Sequence, residues 1–244
     1  MSGEQCILVT GATRGLGLAI ARRLKSAGYA VVATGRKCTA ELESLIDEQG
    51  AGRVLFRECD LRETGAIQSF VKGTVAETGG LYGLVNNAAI GHDGVLATMH
   101  QTEIEELIRV NLLSAVLLTK YVVRSLLLGG GGRIVNISSI IASTGFNGLS
   151  VYGATKAAMA GFTRSLAREL GKANITVNTV APGYMQTDMT GSLDAEKLKS
   201  IQQRSPLGRL VCVEEVAAAV AFLVGPDGRS ITGATFTVDA GSTA

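Results

Sequence analysis

Tyr152 and Lys156 stand four residues apart in Tyr152-Gly-Ala-Thr-Lys156. On a helix that spacing puts both side chains on one face, the ammonium beside the phenol. A free tyrosine ionises near pH ~10 and is a poor proton donor or acceptor at neutral pH. A fixed positive charge within a few ångströms favours the phenolate and draws the pKa towards the working range. The pair therefore suits proton transfer to or from a substrate oxygen. The same pair is also common on plain helix surfaces, where it adds only tenths of a kcal/mol. Ser139 ends an apolar run thirteen residues before Tyr152. A hydroxyl there can hydrogen-bond a substrate carbonyl and align it with the tyrosine. Ser138, one residue earlier, faces the other way by strand alternation. Asn111 lies inside a long apolar helical stretch, where asparagine fits poorly. It either holds a water near Lys156 or is a core amide paired with backbone.

A second set of residues suits a dinucleotide. Thr10-Gly11-Ala-Thr13-Arg14-Gly15-Leu16-Gly17 joins a first apolar strand to a first helix. Glycines there let the backbone approach a pyrophosphate, and the helix N-terminus offers unpaired N–H groups and partial positive charge. A cofactor with a free ribose 2′-OH is usually held by an acid at the end of the second strand. Here that strand ends Ala33-Thr34-Gly35-Arg36-Lys37. Arg36, Lys37 and Arg14 can instead neutralise a 2′-phosphate, which arginine's planar fork matches. NADP(H) is the cofactor expected. Asp60, after the third strand, either accepts from the adenine amino group or caps the following helix. Asn87, after the fourth strand, lies beside the expected cofactor or ties neighbouring strands together.

These residues need a frame that gathers them at one edge. Apolar runs at Cys6–Val9, 29–34, 54–56, 84–87, 133–138, 175–180 and Thr235–Val238 read as strands. Helical periodicity fills 15–28, 39–49, 63–77, 101–128, 150–171 and 214–224 between them. Residues 184–208 are polar and irregular, with weak helical character at 194–203, and are expected to form a mobile cover over the substrate. Alternating β and α with near-continuous Val/Ile/Leu strands means a parallel sheet covered on both faces. The whole chain, 1–244, is read as one doubly wound α/β domain of Rossmann type. Ligands then bind at the carboxyl ends of the strands.

Composition narrows the function. The 244 residues are 46% hydrophobic and 18% charged, with 31 glycines and 3 prolines, which argues against disorder. A net charge of +2 without a basic block gives nucleic acid no electrostatic hold. Four dispersed cysteines without a CxxC pattern suggest reduced thiols and a cytoplasmic setting. Leu112–Leu128 is apolar but broken by Lys120 and Arg124 and reads as a core or interface helix rather than a membrane span. His92 and His100 form no ligand cluster, so no metal is expected.

Together, TGxxxGxG, Asn86-Asn87-Ala88, Asn111, Ser139, YxxxK and Pro182-Gly183 occur in this order over essentially the whole chain. The chain resembles the short-chain dehydrogenase/reductases. Gly-Arg-Ile-Val-Asn-Ile-Ser-Ser, Ile-Thr-Val-Asn-Thr-Val-Ala-Pro-Gly-Tyr and Thr-Asp-Met-Thr most resemble the 3-oxoacyl-[acyl-carrier-protein] reductases, which act in fatty acid biosynthesis. Asn-Asn-Ala-Ala and Val-Asp-Ala-Gly depart from the usual Asn-Asn-Ala-Gly and Val-Asp-Gly-Gly. The resemblance implies that Tyr152 is the general acid, that Lys156 lowers its pKa and binds the nicotinamide ribose, and that Ser139 orients the carbonyl. Asn111 then anchors a relay water. Gly11, Thr13, Arg14, Gly15, Leu16, Gly17, Arg36, Asp60, Leu61 and Asn87 bind cofactor together with Tyr152 and Lys156, and Pro182, Gly183, Met185 and Thr187 line the nicotinamide end. The implied reaction is reduction of a ketone, most closely a 3-oxoacyl thioester. Free ketones, sugars or polyols are the alternative, and a non-catalytic dinucleotide sensor is a remote one. A homotetramer is implied, packed through the long helix and the Tyr152 helix. An acyl carrier protein is a possible partner, though the stretch before strand five, Leu126 to Gly132, is not basic. Lys172, Arg124 and Arg133 remain as candidate carrier contacts.

Overall fold

The computed structural model describes residues 4–185 and 201–244. Seven strands form one sheet: β1 (Cys6–Thr10), β2 (Ala30–Gly35), β3 (Val54–Glu58), β4 (Gly83–Asn86), β5 (Gly132–Ile137), β6 (Ile175–Pro182) and β7 (Thr235–Val238). The order is β3-β2-β1-β4-β5-β6-β7, and every neighbouring pair is parallel. Parallel strands flanked by helices are buried on both faces, which is why β1, β4, β5 and β6 have no exposed position and, apart from the buried Arg133, carry only apolar or small-polar residues. The chain reverses direction across the sheet between β1 and β4. That reversal opens a crevice beyond Thr10 and Asn86.

Helices α1 (Gly15–Ser26), α2 (Ala40–Asp47) and α8 (Val213–Val224) cover one face. Their buried Leu16, Ile20, Leu24, Leu42, Leu45, Val216 and Val220 meet Val9, Val31, Val135 and Val180. Helices α3 (Ile67–Thr78), α5 (Ser114–Leu128) and α7 (Ser150–Leu170) cover the other, with Leu118, Val122, Leu126 and Leu166 against Leu8, Leu84, Ile134 and Val177. By length and composition, Gln101–Leu128 is apolar enough to cross a membrane, but half of its apolar window is buried inside the protein. All four cysteines are free, and Cys6 and Cys59 are buried.

Three local features differ from the periodicity. The long helix is α4 (Gln101–Ile108) and α5 joined by a π turn at Arg109–Leu113. Asn111 sits within it. Helix α3 begins at Ile67 rather than 63, after a short 3₁₀ turn at Thr64–Ala66 containing Gly65. A short helix, α6 (Ile141–Thr144), leaves β5 where a loop is expected. The expected cover segment falls mostly on 186–200, outside the described residues.

Candidate active site

Lys156 is fixed from three directions. It lies on the buried face of α7 and is 3% exposed. Its Nζ donates to the Ile137 carbonyl at 2.9 Å, at the end of β5. Its own carbonyl accepts from the Ser138 hydroxyl at 2.8 Å, so Ser138 clamps α7 to the sheet as its strand parity requires. Burial without a carboxylate disfavours the charged form, and the ammonium pKa is pushed down to about 8.

Tyr152, one turn earlier, places its ring centroid 5.7 Å from Lys156 Nζ. Ser139 lies close enough to the phenol to favour its ionised form, but burial is the larger effect and the pKa is raised. The expectation that Lys156 depresses the phenol is therefore not met. The ammonium sits against the ring and is turned to the Ile137 carbonyl. At neutral pH the tyrosine is a protonated donor. Ser139 also accepts from Ile141 N–H at 3.2 Å, which fixes its oxygen where β5 gives way to α6.

Asn111 sits at the π turn and is 2% exposed. Its Oδ1 accepts from Ile90 N–H at 2.8 Å, and its Nδ2 donates to the Ile90 carbonyl at 2.9 Å. A weaker bond reaches Thr155 Oγ1 at 3.4 Å, and Thr155 donates to the Tyr152 carbonyl at 2.7 Å. Of the two readings of Asn111, the side chain takes the backbone-paired one: it pins the loop after β4 to the helix beneath Tyr152.

The glycine loop is tied into the same edge. Asn87 Nδ2 donates to the carbonyls of Thr10 and Gly11 at 2.8 and 3.2 Å. Thr10 Oγ1 accepts from the N–H groups of Asn87 and Ala88, both at 3.0 Å. Asn87 thus binds β1 to β4 across the crevice. Gly11 has φ +62°, and a Cβ at Gly17 would stand 2.0 Å from the Gly11 carbonyl oxygen. Only glycine lets α1 start this close. The helix begins without a side-chain cap and without an acid in its first turn, so its leading N–H groups suit an anion. Thr39 donates to the Thr13 carbonyl at 2.6 Å and Ala12 N–H to Thr34, which bring the loop against the end of β2. Arg14, Arg36 and Lys37 are all exposed at that corner. These residues fit a phosphorylated dinucleotide.

Asp60 follows β3. Its Oδ1 accepts from Arg62 N–H at 2.9 Å, capping a turn and not α3, whose N-cap is Ala66. The helix-cap reading of Asp60 is corrected on that ground. Leu61 packs partly buried beside α3. Gly183 approaches Asp239 so closely that a Cβ would lie 2.8 Å from its Cα. Met185 bridges to Val211 beyond Pro182. Thr187 lies outside the described residues. Arg133 is buried, its guanidinium 5.6 Å from the Tyr82 ring centroid, so it is no surface contact for a carrier. Lys172 and Arg124 are exposed. His92 pairs with Glu106 at 3.1 Å, and His100 starts α4. Tyr184 and Phe146 meet edge-on, and the Tyr184 phenol is within electrostatic reach of Tyr152. An aromatic after Pro-Gly reads equally well as core, so the sequence alone does not mark Tyr184.

A family model described as Enoyl-(Acyl carrier protein) reductase matches residues 11–243. The chain belongs to the short-chain dehydrogenase/reductase family. It is similar to the 3-oxoacyl-[acyl-carrier-protein] reductases FabG of Vibrio cholerae and Escherichia coli K12. Each is 39% identical over 236 residues, covering 96% of this chain and 95% of the relative. Among solved structures it resembles a short-chain dehydrogenase from Burkholderia cenocepacia J2315 in complex with NADP. That match is 36% identical with TM-score 0.92 and covers 99% of both chains. A dehydrogenase/reductase from Sinorhizobium meliloti 1021 is 36% identical with TM-score 0.93, covering 99% and 96%. As a short-chain dehydrogenase/reductase the chain is an oxidoreductase acting between a carbonyl and an alcohol.

Proposed function

We propose that this short-chain dehydrogenase/reductase uses NADPH to reduce the ketone of a 3-oxoacyl thioester to a secondary alcohol. The observation that carries the reading is the buried Lys156, held by the Ile137 carbonyl against the Tyr152 ring, at the strand end where Ser139 is fixed. NADPH, when bound, supplies the hydride to the carbonyl carbon. Ser139 holds the carbonyl oxygen, and Tyr152 gives its phenolic proton to that oxygen as charge builds there. Lys156 balances the phenolate left behind and offers its ammonium to the ribose. The π turn at Asn111 keeps α7 and the loop after β4 in one register, with a relay water as a further role. Gly11 to Gly17 receive the pyrophosphate, and Arg14 and Arg36 the 2′-phosphate. Asp60 and Leu61 flank adenine, and Asn87, Pro182, Gly183, Met185 and Thr187 enclose the nicotinamide side.

The NADP-bound Burkholderia relative and the FabG relatives support both the cofactor and the substrate class. The description of the matching family model favours a second reading, reduction of an enoyl thioester. A donor paired to position one oxygen suits a ketone better than an isolated double bond. Offering acetoacetyl and crotonyl thioesters with NADPH separates the two. Turnover of the first is expected, and turnover of crotonyl alone would transfer the assignment to enoyl reduction.

A further inference from the structure

Tyr184 lies just beyond β6, where Ile140 N–H donates to the Pro182 carbonyl at 3.0 Å and sets the strand end against the Ser139 turn. Its ring meets Phe146 edge-on, with centroids 6.0 Å apart and planes at 63°. Its carbonyl accepts from Val211 N–H at 3.2 Å. Two loops border this aromatic pair, joined by Gly94 N–H donating to the Gly148 carbonyl at 3.0 Å. The phenol is close enough to Tyr152 to act on its ionisation, and Asp93 acts on the phenol in turn. Burial first, then the Asp93 charge, hold Tyr184 protonated, with Arg204 opposing more weakly.

The Tyr184 hydroxyl is buried and has no hydrogen-bond partner among the described residues. Packing does not explain it, since a phenylalanine would meet Phe146 equally well. Buried hydroxyls ordinarily find partners, and one without a partner calls for an explanation. The other such atoms belong to Thr34, Asn86, Arg133 and Thr176, all within sheet strands. Tyr184 stands past the end of β6, which Ile140 N–H ties to the Ser139 turn, and its phenol is within electrostatic reach of Tyr152.

We propose that Tyr184 donates a hydrogen bond to a second oxygen of the substrate, so the site selects ketones carrying another acceptor near the reacting carbonyl. A 1,3-dicarbonyl such as a 3-oxoacyl thioester presents that pair of oxygens. This inference rests on the carbonyl-reductase reading above and adds the residue that chooses among ketones. A site built to bond a substrate oxygen discriminates strongly against analogues lacking it.

The test is Tyr184→Phe, which keeps the ring and removes only the hydroxyl. Steady-state kcat/KM is measured with NADPH for a 3-oxoacyl thioester and for a methyl ketone of equal chain length. Wild type is expected to favour the thioester, and the variant to lower that preference roughly 10–100-fold, through KM more than kcat. Thermal unfolding is a second readout: removing an unpaired buried hydroxyl should leave Tm equal or higher. An unchanged substrate ratio, or a Tm loss showing that the hydroxyl has a structural partner, would overturn the proposal. If wild type reduces both ketones equally, carbonyl reduction stands and the role of Tyr184 fails. If wild type reduces neither, the functional reading fails and takes this inference with it.

Discussion

At the scale of single residues, the site separates two protons by environment. Burial raises the Tyr152 phenol and lowers the Lys156 ammonium to about 8. Below that value both groups carry the protons that reduction uses. As pH rises, Lys156 loses its charge first and the phenol later. The value of kcat/KM for NADPH, which reports the free enzyme, should therefore fall by roughly tenfold per pH unit above about 8. A profile flat to pH ~10, the range of a free lysine, would count against it. The cofactor corner makes a separate prediction. Arg36→Ala should raise the KM for NADPH at least ~10-fold while leaving NADH almost unchanged, because only the 2′-phosphate contact is lost. Equal losses on both cofactors would place Arg36 elsewhere.

At the scale of elements, strained or interrupted segments set the geometry. Ala240 adopts φ +55°, in the left-handed region, where the family pattern usually has glycine. Ala240→Gly should raise stability by about 1 kcal/mol, read as an upward shift in Tm. A fall in Tm would show that the turn at Asp239 needs the Ala240 side chain. The strands and main helices were legible because burial on both faces leaves apolar runs and 3.6-residue periods. The glycine loop and the Tyr152, Lys156 and Ser139 positions were legible because each ends or begins such a run. The π turn was not, since periodicity reads through a single widened turn. Asn111 marked the place without revealing that both polar ends of its side chain go to Ile90. The ion state of Tyr152 also escaped the sequence. Spacing brings Lys156 to the ring, but only the fold determines that its Nζ is spent on the Ile137 carbonyl. Asp60 looked equally like a helix cap because nothing in the sequence fixes where α3 starts.

At the scale of the whole molecule, a hollow between α4 and α7 is lined by Leu96, Ile104, Ile108, Leu112 and Val151. Ile108 and Leu96 are 45% and 57% exposed. An apolar face of this kind suits burial against another copy of the chain. The expected state is a homotetramer in sedimentation, and Ile108→Asp should shift it to smaller species; a wild-type monomer would contradict this. Because that face includes the first turn of α7, association would also steady the helix carrying Tyr152 and Lys156. The most direct test of the account is Tyr152→Phe assayed with NADPH and a 3-oxoacyl thioester. Turnover should fall by roughly 10²–10⁴-fold while NADPH still binds with near wild-type affinity. Turnover within a few-fold of wild type would contradict the convergence of phenol, hydroxyl and ammonium as the reducing site.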